Sequence, residues 1–123
     1  MNAEDHMKDA QTWLEAAHST KDKNPRVACA LAAHAVIKAL DALFEATLKK
    51  TPTRHDNAID FFRELLAKGL IEPTENTQLP RIQEILKKKS TAEYHLGYFS
   101  KRDTEAWIRD TEKIIKMVRK YVR

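Results

Sequence analysis

A chain of 123 residues forms one domain with a modest core; 33% of it is charged, and glycine and proline number only two and four. That is the composition of a helical domain, with too few glycines for phosphate-cradling or dinucleotide-binding loops, and its lone cysteine, Cys29, excludes an intrachain disulfide or a thiolate-rich metal site. A net charge of +4 and a pI near 9.2 are compatible with an anionic partner without requiring one.

The first helix is expected over about residues 3–20, with Asn2 as its cap and Met7, Ala10, Leu14 and Ala17 at helical spacing. Asn24 and Pro25 open a second helix that runs to about residue 50 through Val27, Leu31, Val36, Leu40, Leu43, Phe44 and Leu48. It is apolar over much of its circumference and rich in alanine, so it is expected to be the central element. Thr51-Pro52-Thr53 breaks the chain before a third helix, about 54–68, which ends at Gly69. Residues 70–77 read as a connector with helical turns. A fourth helix, about 78–98, starts near Pro80, and a fifth, about 101–122, follows the start signal of Ser100 and Asp103. Strand signals and repeats are absent. The chain is therefore expected to be a single all-α domain, an antiparallel up-and-down bundle of about five helices.

The N-terminus lacks the apolar core of a signal peptide, and no uninterrupted apolar run suggests a membrane span, so a cytoplasmic protein is expected. A metal site is not expected. The nearest ligand pattern, Glu15-Ala16-Ala17-His18, occurs once, whereas di-iron bundles need two such pairs. No cofactor is expected. Cys29 reads as a small core residue, and His34 as part of a polar rim with Lys38 and Asp41. On the last helix Arg109, Lys113, Lys116, Lys120 and Arg123 alternate by four and three and share a face. Either it meets phosphates or it is an ordinary solvated surface, with Glu105 and Glu112 each four residues before a basic partner.

The segment KKKSTAEYHLGYF, residues 87–99, carries the candidate site. Lys89 falls on the apolar line of Ile82, Ile85, Leu86, Ala92 and Leu96, where it must snorkel, pair with an acid or line a cleft. Lys88 aligns with His95, while Tyr94 and Tyr98 share a neighbouring face. The lysines suit phosphate contacts and the tyrosines suit stacking on a base. His55, just after the Thr-Pro-Thr break, caps the third helix or faces a pocket.

Three stretches resemble the HEPN superfamily of small all-helical prokaryotic domains. Residues 35–44, AVIKALDALF, are similar to the family's second-helix pattern. Arg54-His55-Asp56 falls where many members carry a His opening the next helix. Residues 89–94, KSTAEY, are similar to an Arg-Asn-x-Ala-Glu-Tyr element of one branch. The resemblance implies a homodimer whose active members are metal-independent ribonucleases. These use an Arg and, after four to six intervening positions, a His, gathered from both subunits in a cleft. It also implies, in many members, a small nucleotidyltransferase partner in toxin–antitoxin systems, while other members only bind nucleotides or nucleic acid.

In this chain no Arg precedes a His at that spacing. Lys89 and His95 are the nearest substitutes, and lysine lacks the bidentate geometry of a guanidinium. The expectation is therefore a HEPN-like domain without the usual catalysis. It binds a nucleotide, RNA or a partner protein through Lys88, Lys89, Tyr94, Tyr98 and His55. The alternatives are a ribonuclease using Lys89 and His95 in a dimer cleft, and a helical adaptor with no ligand.

Overall fold

Three helices begin where a side chain takes up the orphan amide protons of the first turn. Asn2 Oδ1 accepts from the Asp5 amide at 2.9 Å while the Asp5 carboxylate accepts from the Asn2 amide at 3.0 Å, opening α1, Ala3–Thr20. Asn24 Oδ1 accepts from the Val27 amide at 3.2 Å, and Pro25 takes the first position of α2, Pro25–Leu48. The reciprocal pair of Ser100 and Asp103 opens the last helix, Lys101–Arg119. Between them lie α3, Ala58–Ala67, a short 3-10 helix, Pro73–Gln78, and α4, Leu79–Tyr94, so the last helix is α5. This computed structural model describes residues 1–54, 57–94 and 99–122, with only the backbone of Ser90, Glu93 and Tyr94. Among the described residues there is no strand, and the domain is an all-α bundle.

Boundaries differ from expectation at three places. α2 stops at Leu48 rather than residue 50, because Lys49 turns into the left-handed region at φ 60°. α3 starts at Ala58 rather than residue 54. A turn closed by the Asn57 amide on the Arg54 carbonyl, at 3.1 Å, precedes it, and residues 55 and 56 lie outside the description. The described part of α4 ends at Tyr94, and the expected continuation over 95–98 is likewise outside it. Gly69 ends α3 as expected. At φ +67° its amide donates to Leu66 O at 3.2 Å and the Leu70 amide to Leu65 O at 3.0 Å, a Schellman motif that favours glycine.

α2 is the buried centre. Ala28, Ala32, Ala33, Ala35, Val36, Ala39, Ala42, Leu43 and Phe44 are fully buried, and α1, α3, α4 and α5 all pack on it. By length and composition α2 does reach the threshold for crossing a membrane, contrary to the reading of its apolar runs, because an 18-residue window within it has a mean hydropathy of 1.8. Most of that window, 72%, is buried inside the bundle, as in the core helix of a soluble fold.

The end-to-end contacts fix the directions. Arg119 of α5 meets Glu4 of α1 at 3.5 Å, and Arg26 of α2 reaches Ala92 of α4. Cys29 meets Thr104, so the N-termini of α2 and α5 share one end. α1 and α4 thus run one way, and α2 and α5 the other.

The 3-10 helix is pinned to the far end of α5 by groups that the connector reading of 70–77 does not anticipate. Glu75 is 4% exposed; its carboxylate accepts from Tyr121 Oη at 2.7 Å and from Lys120 Nζ at 3.2 Å. Tyr121 Oη in turn accepts from the Glu72 amide at 3.0 Å. Burial raises the Tyr121 phenol above its ordinary 10.0, the Glu72 amide opposing and Glu75 adding to the rise. Because the folded state holds this proton more tightly than the unfolded chain, the stability it brings is present below pH 10 and is lost as pH rises through the raised folded pKa. Tyr121→Phe should lose about 1.5–3 kcal/mol at neutral pH, the range for a hydrogen bond to a charged group. Urea unfolding checks this, and the gap to the wild type should close above pH 10; a gap that widens there contradicts the network.

Candidate functional site

One end of the bundle gathers the N-terminus of α2, the C-terminus of α4 and the N-terminus of α5. Thr104, fully buried in the first turn of α5, holds them in register. Its hydroxyl donates to Ser100 O at 3.0 Å, with Pro25 O at 3.4 Å, and accepts from Cys29 Sγ at 3.5 Å. Burial pushes the Cys29 thiol up, against the pull of the Thr104 hydrogen bond, so Cys29 is the inert core residue expected.

Arg26 completes this end. Its Nη1 donates to the Ala92 carbonyl at 2.6 Å, near the end of the described part of α4. A guanidinium there lies toward the negative end of the α4 dipole. Sequence reasoning missed this residue, although a signal existed. α2 has no acid in its first turn and carries Arg26 there instead, where a cation opposes its own helix dipole. Such an arginine is held by something outside its helix.

Lys89 takes the position expected of it. Ile82 and Ile85 are buried on α4, Ala92 is fully buried one turn further on, and Lys89 between them is half-buried and engaged with a neighbouring group. Arg26 therefore reaches the turn that follows Lys89 on the same face of α4. Lys88 instead points outward, exposed and paired with Glu84 one turn earlier. The Glu84 hydrogen bond and charge raise its pKa, and Asp103 at the start of α5 adds to the rise. The structure thus brings Lys88 and Lys89 to the end held by Arg26, on different faces of α4. His55, His95 and Tyr98 lie outside the described residues, as does the side chain of Tyr94.

The described histidines lie elsewhere. His6 is buried in the core, with Nδ1 lacking a hydrogen-bond partner, and His34 stacks on Trp13 at 4.9 Å. His18 bonds Glu112 at 3.1 Å on the α1 flank of α5, whereas α4 joins the other flank through Arg81 and Asp110 at 3.4 Å. Among the described residues no three His, Cys, Asp or Glu groups are placed to hold a metal. What Arg26, Lys88, Lys89 and two helix N-termini can do together is attract an anion.

An alanine-rich central helix, a Lys-rich α4 ending beside it and a His-bearing break before α3 define a class of small helical domain. The HEPN domain profile matches residues 3–121, nearly the whole chain, and the chain belongs to that family. The family is associated with RNA binding, nuclease activity and toxin or defence roles. No curated protein matches the chain.

Proposed function

We propose that this HEPN domain binds a phosphate-bearing ligand, a nucleotide or RNA, at the α4 end without cleaving it. The observation that carries this reading is a half-buried lysine, Lys89, on the core-facing line of α4, one turn before the carbonyl held by Arg26. A cation on that line, beside the Arg26 guanidinium, adds positive potential to this end of the bundle, which favours a phosphate arriving there. Tyr94 and Tyr98 offer faces for a base. The reading without cleavage is supported by the sequence, in which no arginine is followed by a histidine after four to six intervening positions.

We further infer from the family that the domain works as a homodimer with its α4 ends at a shared cleft, and that a nucleotidyltransferase-type protein is its partner in a toxin–antitoxin or defence system. Light scattering at micromolar concentration should then report twice the 14.2 kDa chain mass. A monomer at every concentration would remove the cleft.

Lys89→Met keeps the apolar stem and removes the charge. On the proposed reading the melting temperature holds or rises slightly, while affinity for a nucleotide or short RNA drops and loses part of its salt dependence. Unchanged affinity in a folded variant excludes the site. A clear fall in melting temperature instead identifies a structural lysine paired with an acid, whose carboxylate is left alone. RNA cleavage in the presence of a chelator, abolished by His95→Ala, overturns the non-catalytic reading.

A further inference from the structure

The acids of α5 turn toward neighbouring groups, Lys101 and Arg119 pair with Asp22 and Glu4, and the other cations lie on the outward side. Asp103 is spent on the cap at Ser100, Asp110 turns to Arg81 of α4, and Glu112 turns to His18 of α1. Glu105 lines the groove against α1 with His18, Lys21 and the edge of Arg109. Among the described residues, neither pair that the i, i+4 spacing suggests, Glu105 with Arg109 or Glu112 with Lys116, closes to an ion pair; Glu112 is engaged by His18 instead.

On the outward side the result is a row of one sign. At 100° per residue, Arg102, Arg109, Lys113, Lys116 and Lys120 fall within about 60° of arc, opposite the buried line of Thr104, Thr111 and Val118. All five are exposed. Among the described residues, Lys120 is the one of the five in an ion pair, with Glu75. From Arg102 to Lys116 the row is about 21 Å long, the rise of fourteen residues, and spans about six phosphates of one strand at 3.4 Å each. Nothing in the packing needs these like charges together, and their mutual repulsion opposes folding.

We propose that the outward face of α5 is a second binding surface, separate from the Lys89 site, for the phosphate backbone of duplex nucleic acid. The row suits backbone contact rather than base reading. Single-stranded binding leans on aromatic stacking platforms, and on α5 Trp107 is buried while Tyr121 beyond it is committed to Glu75. A protein partner is a poorer fit, because interface cores favour aromatic residues and exclude lysine. An anionic membrane is also a poorer fit, because no large apolar side chain lies on this face to enter the bilayer.

The test uses the whole chain and two probes of about 16 base pairs, an RNA duplex and a DNA duplex of the same sequence, with affinity read by anisotropy across about 50–200 mM salt. Arg109→Gln/Lys113→Gln/Lys116→Gln should keep its melting temperature, bind duplex about tenfold more weakly or worse, and show a salt slope smaller by about 2–3, near 0.9 for each cation removed. The same loss of charge at Lys8, Lys23 and Lys50 should leave affinity within about threefold, since general net charge is only a weak attractor at this ionic strength. The α5 variant should bind adenosine monophosphate as the wild type does, which separates this surface from the proposed site. Loss on both duplexes marks pure backbone contact, and loss on RNA alone adds a contact to the 2′-hydroxyl; either outcome supports the proposal. It is overturned by equal loss in both triple variants, by unchanged affinity in the α5 variant, or by a wild type that ignores duplex while binding phosphatidylserine vesicles or an acidic peptide.

Discussion

Fully buried alanines at 28, 32, 33, 35, 39 and 42 leave α2 with little side-chain bulk, so α1, α4 and α5 approach its backbone on several sides at once. Larger residues there would push the neighbours outward and open the ends of the bundle. Close approach is also what lets the Arg26 side chain span from α2 to the Ala92 carbonyl, and what lets Thr104 touch both Pro25 and Cys29. The remaining contacts of that end follow from the packing of one small-residue helix.

The same arrangement sorts the charges into two environments. At the α4 end they are few and partly enclosed. Lys89 is half-buried, and Arg26 is tied to backbone, so an anion arriving there meets groups that are already oriented. Along α5 they are many and solvated, beside acids that the flanking helices engage. Pre-organised contacts favour affinity for a small ligand, whereas a solvated row favours long-range attraction of a polyanion and is screened by salt. On the proposed readings the two surfaces take complementary roles in one mildly basic domain.

Much of the fold was legible because it rests on local chemistry. Asn2, Asn24 and Ser100 announce their helices by side-chain capping, and Gly69 announces an end by its freedom at positive φ; such signals act within four residues. The apolar line of α5, from Trp107 to Val122, is likewise a periodicity that burial follows directly. Partners distant in sequence were not legible. Glu75 reads as a loop acid until Tyr121 and Lys120 reach it from α5, and Arg26 reads as a surface residue until Ala92 appears beside it. The position of Lys89 could be read from the spacing of Ile82, Ile85 and Ala92. The groups around it depend on how three helix ends meet, and spacing within one helix does not carry that. The charge row of α5 was visible too, but its pairing was misjudged, because spacing shows Glu112 close to Lys116 and hides His18 on another helix.

The central claim is that the end held by Arg26 and Lys89 receives a phosphate. Titration with adenosine monophosphate, followed by backbone amide chemical shifts, tests it most directly. The account predicts saturable shifts clustered at Arg26, at Lys88 to Ala92 and at Ser100 to Thr104, with amides at the opposite end, around Glu75 and Tyr121, unmoved. Saturable shifts confined to that opposite end, or none at any concentration, would contradict it.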